Sequence, residues 1–244
     1  IDLGRIAETV HKDGLPDVLC LQEVSRNYPS TDEGADQVKE LEKIFPDYES
    51  FFGAVHDRSG GKEKTRKQFG NLVLTRLSPV QVLHHLLPSP ADPKARFMSR
   101  QIAELVIPAN TTELRVMTTH LEFFSEIQQL AQIQRIREIH EEASCQFHFP
   151  GKDMPDTPFE LVKRPENTVI CGDFNFTPDS TSYRKMTARF SEKNMDLVDA
   201  WRTHQKDNAH TPTCGIFDHK QWKKGPHCRD YFFISQSLAQ KINQ

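Results

Sequence analysis

Three apolar runs carry this chain to an acid or a histidine at their C-terminal ends. VLCLQE reaches Glu23, RVMTTH reaches His120 and TVICGD reaches Asp173. After the third run the chain reads Gly172, Asp173, Phe174, Asn175 and then Pro178. An aspartate and an asparagine at the mouth of a buried strand cost free energy unless something there uses their oxygens. Gly172 permits close approach of backbone or ligand, Phe174 turns inward, and Asp173 and Asn175 project the same way with period two. Glutamate, aspartate and asparagine oxygens suit a hard cation, Mg2+ or Mn2+, rather than zinc. A cation held by few carboxylates keeps positions for water and for phosphate oxygens, which points to chemistry at a phosphoryl group. Asp173 can position the attacking water, and His120, titrating near neutrality, can donate a hydrogen bond or a proton. A fourth acid, Asp230, opens the run DYFFIS directly after Arg229.

Strands and helices must deliver these groups. Residues 2–12 place Leu3, Ile6, Ala7 and Val10 on one helical face, and Gly14 and Pro16 end the helix. DVLCLQEV is a nearly continuous apolar run, as in a strand buried on both sides. A second helix over 35–45 turns Val38, Leu41, Ile44 and Phe45 inward, and YESFFG is a strand. A charged loop over 57–68 carries RSGGKEKTRK. It is followed by four successive strands, GNLVLTR, VQVLHHLL, RQIAELVI and ELRVMTTH. Ser125 opens the longest helix with an S-x-x-Q pattern to Gln128. Its seam is Ile127, Leu130, Ile133, Ile136 and His140, and Gln132 on it caps a backbone group, the alternative being that it braces the site. A loop over 147–167, a short helix over 182–190 and the strand DYFFIS complete the chain. Strands in groups with helices between some of them predict sheets covered by helices, in one domain over residues 1–244.

The bulk numbers set bounds. A chain of 244 residues is long enough for a real core. No apolar stretch approaches the length of a membrane span. Lys+Arg 31 against Asp+Glu 34 leaves a net charge of −3, which does not advertise binding to long nucleic acid. It leaves room for a local basic patch or a small phosphorylated substrate. The cysteines Cys20, Cys145, Cys171, Cys214 and Cys228 are odd in number and widely spaced, with no zinc-knuckle or redox spacing. Cys20 and Cys171 lie in apolar runs and read as small core residues, so a reducing, cytoplasmic compartment is expected. The chain begins at Ile1 without a methionine and shows no signal-peptide pattern, so a missing natural N-terminus is the expectation.

LQEV at 21–24, GNLVLTR at 70–76, TTHLE at 118–122, GDFN at 172–175 and RDYFFIS at 229–235 occur in that order. Together they resemble the endonuclease/exonuclease/phosphatase superfamily, which includes deoxyribonuclease-type nucleases, AP endonucleases, neutral sphingomyelinases and inositol polyphosphate 5-phosphatases. The resemblance spans nearly the whole chain. It implies an α/β (α+β) fold, a four-layer sandwich of two mixed β-sheets packed face to face with helices outside. It also implies Mg2+-dependent hydrolysis of a phosphoester. By that resemblance Glu23 binds the metal, and Asp173, near the metal, orients or deprotonates the nucleophilic water. Asn175 holds a phosphate oxygen, His120 contacts the phosphate, and Asp230 orients the family's catalytic histidine. A histidine in TTHLE points away from the AP-endonuclease branch. Asn71, Arg229 and Trp222 are the substrate-binding candidates.

Two departures from the family pattern matter. The family begins with a strand ending in an asparagine, W-N-V, and finishes with an S-D-H motif beyond the DY strand. This sequence starts in the helix and ends at Gln244 soon after that strand. Asp218–His219 precedes Asp230 and is no substitute. A family member trimmed at both ends, or with ends outside this sequence, is therefore expected, with Asp230 lacking the histidine it should orient. The basic segments RSGGKEKTRK and HKQWKKGPHCR read as solvated loops; the alternative is a phosphate-attracting rim with a base stacked on Trp222. The resulting expectation is a metal-dependent phosphodiesterase using a metal-activated water for in-line attack. The alternatives are a phosphomonoesterase on a sugar or inositol phosphate, and a non-catalytic module that binds a phosphorylated partner. Against the module, Glu23 and Asp173 would repel one another across an empty site. The expected substrate is a phosphoester in nucleic acid, a phospholipid headgroup or a small phosphate ester, bound by a monomer.

Overall fold

Period-two alternation along the apolar runs sorts their side chains onto two faces, and both faces are covered. The computed structural model describes residues 2–61, 64–109, 112–191, 195–206 and 208–242. A three-stranded sheet is formed by β1 (Val18–Arg26), β2 (Glu49–Ser59) and β3 (Arg66–Thr75), in the order β1-β3-β2. A six-stranded sheet contains β4 (Gln81–Leu87), β5 (Arg100–Ala109), β6 (Thr112–His120), β7 (Thr168–Asp173), β8 (Leu197–Asp199) and β9 (Asp230–Ser235). Its order is β4-β5-β6-β7-β9-β8.

Helices α1 (Leu3–Lys12) and α3 (Gln37–Ile44) cover the outer face of the small sheet, where Val24, Val38, Leu41, Phe45, Leu72 and Leu74 pack together. A single turn, α2 (Pro29–Asp32), precedes α3. Helices α4 (Glu126–His148) and α5 (Thr181–Met186) flank the large sheet, whose outer core includes Ile102, Met117, Ile133, Ile136, Ile170 and Phe233. Between the sheets Val73, Ala103, Leu105, Ile107 and Val116 form a third cluster, joined by Val18 and Cys20. Helix, sheet, sheet and helix make the four layers expected. No helix among the described residues is long and apolar enough to cross a membrane.

Some details differ from the expectation. The large sheet is mixed, because α4 returns the chain so that β7 runs parallel to β6. The small sheet is antiparallel throughout, since a hairpin joins β2 to β3 and β1 pairs antiparallel with β3. That hairpin shortens the charged loop. The ladder continues through Asp57↔Gln68 to Ser59↔Arg66, and Arg66 Nε meets Asp57 Oδ1 at 2.7 Å. Lys62 and Glu63 of the loop lie outside the described residues. Helix α4 runs on to His148. Ser125 accepts from Gln128 N at 3.3 Å as its capping pattern predicts, but Ile127 is 60% exposed. Gln128, Gln129 and Gln132 turn inward in its place. Strand β8 and helix α6 (Ala200–Gln205) were too short to anticipate.

The large sheet buries a charge network. Glu104 accepts from Arg164 Nε and Nη2 at 2.7 Å each and from His85 Nε2 at 2.9 Å, with Arg115 Nη1 at 3.9 Å. Burial pushes this carboxyl up, but the bonds from His85 and Arg164 outweigh burial and hold it down at about 2. Arg115 in turn bonds Thr168 and His140, joining β6, β7 and α4.

Candidate active site

Glu23 does not end its strand. The β1–β3 register passes from Leu21↔Leu72 to Val24↔Gly70, so Gln22 and Glu23 together oppose Asn71. This is a β-bulge, with Glu23 in the left-handed region at φ 61. Regular alternation would send Glu23 to the helix side beside Leu19 and Leu21. The extra residue puts Val24 there instead and leaves the Glu23 carboxylate 58% exposed. Asn71, buried on the same face of β3 as Val73, stands across from the bulge.

The other acids come from the large sheet. His120 lies beside Asp173 in the parallel β6–β7 pair, and Asp173 lies opposite Asp230 in the antiparallel β7–β9 pair. One rung of the sheet thus carries all three residues. Glu23 reaches it from the facing sheet. His120 Nε2 is 3.9 Å from Glu23 Oε1 and 3.8 Å from Asp173 Oδ2. Gly172 makes the rung possible. Its φ is 141, and a Cβ there would come within 2.0 Å of the Thr119 carbonyl oxygen.

Phe174 is buried as expected, but Asn175 does not continue the alternation of the strand. At φ 55 it turns back, and its Nδ2 donates to the Leu121 carbonyl at 2.9 Å. Its own N–H donates to Asp173 Oδ1 at 2.9 Å. Its carbonyl accepts from Arg229 Nη1 at 2.6 Å and from Gln129 Nε2 at 3.2 Å. Arg229 packs against two rings, 4.7 Å from the Trp222 centroid and 5.0 Å from that of Phe123, which themselves meet edge to face at 5.7 Å. Trp222 therefore lies in cation–π contact with Arg229. The backbone N–H groups of Arg229 and Asp230 both donate to Thr213 Oγ1. Asp218–His219 sits in an exposed turn, where Asp218 accepts from Lys220 N and Gln221 N.

Burial sets the ionisation states. Asp173 is pushed up to about 7 by burial, with Asp230 and Glu23 adding repulsion. Burial also raises Asp230. His120 is pushed down to about 3, by burial and then by the nearby Arg100 guanidinium, so at neutral pH it is uncharged. The expectation of a histidine titrating near neutrality is corrected: this imidazole can offer an N–H hydrogen bond but carries no spare proton. Arg100 is buried, with Nε and Nη2 each 3.5 Å from Glu122 Oε2 and Nη1 without a hydrogen-bond partner among the described residues.

Residues 2–241 match the Endonuclease/Exonuclease/phosphatase family. The chain belongs to this family. Curated protein sequences give no match. Among solved structures, an endonuclease/exonuclease/phosphatase from Beutenbergia cavernae is 19% identical with a TM-score of 0.62, over 97% of this chain and 59% of its own. The human Nocturnin catalytic domain with bound sulfate is 19% identical with a TM-score of 0.57, over 95% of this chain and 73% of its own. A Bacteroides thetaiotaomicron mannosyl-6-phosphatase is 18% identical with a TM-score of 0.63, over 96% of this chain and 76% of its own. At these identities the likeness carries the fold alone.

Arg100, Glu122 and Gln129 pack around these candidate residues and were not singled out from the sequence. Arg100 opens the run RQIAELVI, and Glu122 directly follows His120-Leu121; both are charges beside apolar stretches, which was the available signal. Gln132 does cap a backbone group, accepting from Glu122 N at 2.9 Å. Among the described residues no group of three His, Cys, Asp or Glu donors is set to hold a metal ion. The donors present are the hard oxygens of Glu23 and Asp173, and they fit Mg2+ or Mn2+ with water completing the shell.

Proposed function

We propose that the chain is a divalent-metal-dependent phosphohydrolase acting on a phosphodiester, with Mg2+ or Mn2+ held by Glu23 and Asp173. The observation supporting this reading is the approach of one carboxylate from each sheet to His120 Nε2, at 3.9 and 3.8 Å. When bound, the cation supplies charge neutralisation at the phosphoryl group and makes water more acidic. Asp173 orients the attacking water and accepts its proton. Neutral His120 donates its N–H to a phosphoryl oxygen. Asn175, its amide already oriented by Leu121, offers its remaining N–H to the same group. Arg100 adds fixed positive charge close to the acids. Sulfate bound to the human Nocturnin catalytic domain supports an anion site on this scaffold.

A second reading, a phosphomonoesterase, is favoured by one feature. A hollow of about 360 Å³ beside Asn175 and Arg229 is lined by the hydroxyl residues Thr177, Ser180 and Thr181, which suit a small polar group next to the phosphate. Hydrolysis of bis(p-nitrophenyl) phosphate and of p-nitrophenyl phosphate, with Mg2+ or Mn2+ and then with EDTA, separates the readings. Diester turnover that EDTA abolishes and metal restores is expected. Faster monoester turnover would select the second reading, and no turnover of either ester would overturn both.

A further inference from the structure

One rung behind Glu23, His120 and Asp173 lies a row of groups that the proposed chemistry does not use. Period-two alternation puts Cys20 and Gln22 on the inter-sheet face of β1, Thr118 and His120 on that of β6, and Cys171 and Asp173 on that of β7. The β6–β7 register pairs Thr118 with Cys171 just as it pairs His120 with Asp173. Gln22 Nε2 donates to Thr118 Oγ1 at 2.9 Å, which fixes β1 across this rung. Cys20 and Cys171 therefore face each other from opposite sheets. The two thiols adjoin, with the Thr118 hydroxyl beside both.

Both cysteines are free, Cys171 buried and Cys20 half-buried. Both line a groove of about 560 Å³ whose walls include Val18, Val116, Val169 and Tyr231. Such walls admit a small uncharged reagent more readily than an ion.

We propose that Cys20 and Cys171 form an oxidisable dithiol, which a hydroperoxide converts into a disulfide tying the two sheets together beside the candidate active site. One sulfur attacks the peroxide, the O–O bond breaks, and the displaced oxygen leaves as water or alcohol while the sulfur becomes a sulfenic acid. The second sulfur then displaces the sulfenic hydroxyl as water and the S–S bond forms. The two sulfurs lose two electrons in all, and the peroxide accepts them. The inference concerns two thiols and a groove, so it holds whatever ester the chain hydrolyses.

The test is made on the whole chain, reduced, freed of metal with EDTA and exposed to hydrogen peroxide. Remaining thiols are alkylated, and the digest is mapped by mass spectrometry. Cys20 and Cys171 should leave the alkylated pool together and reappear as a linked peptide pair lighter by two hydrogens, which dithiothreitol restores. In Cys20→Ser, treated alike, no linked peptide pair containing Cys171 should form. The proposal is overturned if both cysteines of the unsubstituted chain stay alkylatable, if they end as separate sulfinic acids, or if they link to other cysteines.

Discussion

Asp173 and Asp230 stand opposite one another across the β7–β9 ladder. Burial disfavours the charge on Asp173 and the like charge of Asp230 adds repulsion, so its carboxyl is pushed up to about 7. An unfolded chain would release the carboxyl proton near the ordinary carboxylate value of about 3.9. The group's contribution to stability is therefore full below about pH 4 and is lost as pH rises through 7. Asp173→Asn should raise the Tm of EDTA-treated protein at pH 8 and change it little at pH 4. Thermal melts at the two pH values check this, and equal offsets at both would contradict it.

Glu104 behaves in the opposite sense. Its folded value of about 2 lies below the unfolded one, so its contribution is present above about pH 4.5 and is lost as pH falls toward 2. The shift corresponds to about 3 kcal/mol. Glu104→Gln should remove this part of the acid-unfolding limb. It should also cost roughly 3–5 kcal/mol at neutral pH, because Arg164 and Arg115 stay buried without their anion. Urea unfolding across the pH range would show both effects.

Gly172→Ala should be among the most damaging single-methyl changes in the chain. The added carbon meets the Thr119 carbonyl at 2.0 Å, at a φ that disfavours any side chain. A loss above about 4 kcal/mol is expected, read from the urea midpoint. An unshifted midpoint would mean that β6 and β7 can part without penalty.

At Asn175 the conformational and hydrogen-bonding effects can be separated. Asn175→Ala loses the bond to the Leu121 carbonyl, about 1 kcal/mol, and strains the left-handed backbone by about 1–2 kcal/mol. Asn175→Gly should recover the second part alone. Activity should be low in both, because the amide is absent from both. Recovery of activity in the glycine variant would remove Asn175 from the phosphate site.

Glu23→Gln should leave stability within about 0.5 kcal/mol, since the side chain is mostly exposed. The Mg2+ concentration needed for half-maximal turnover should rise by roughly tenfold or more, because ligand charge sets affinity for hard cations. An unchanged titration would mean that Glu23 is not a ligand.

Much of this arrangement was legible in the sequence. The runs ending at His120 and Asp173 are strands as read, and the capping pattern at Ser125 opens α4 where expected. Sheets covered by helices followed from runs of strands with helices between them, and the four-layer sandwich from the family resemblance. What was not legible depended on partners distant in the chain. The bulge at Gln22–Glu23 exists only relative to β3, so an isolated reading of LQEV ended the strand too early. The neutrality of His120 depends on burial and on Arg100, twenty residues earlier. The inward glutamines of α4 defied the apolar-seam rule because loop carbonyls needed donors: Gln128 donates to Pro90, Gln129 to Glu122 and Gln132 to Pro88.

The extra residue in β1 also makes this strand sensitive to its reading frame. Excising Glu23 alone would give an unbroken alternation of Leu19, Leu21 and Val24 toward the helices, with the rest of β1 in its present pairing. The sandwich would survive that single-codon deletion while the carboxylate proposed to hold the metal disappeared. A one-step mutational route thus runs from the proposed hydrolase to a scaffold without that carboxylate, and an insertion at the same point would be needed to travel it backwards.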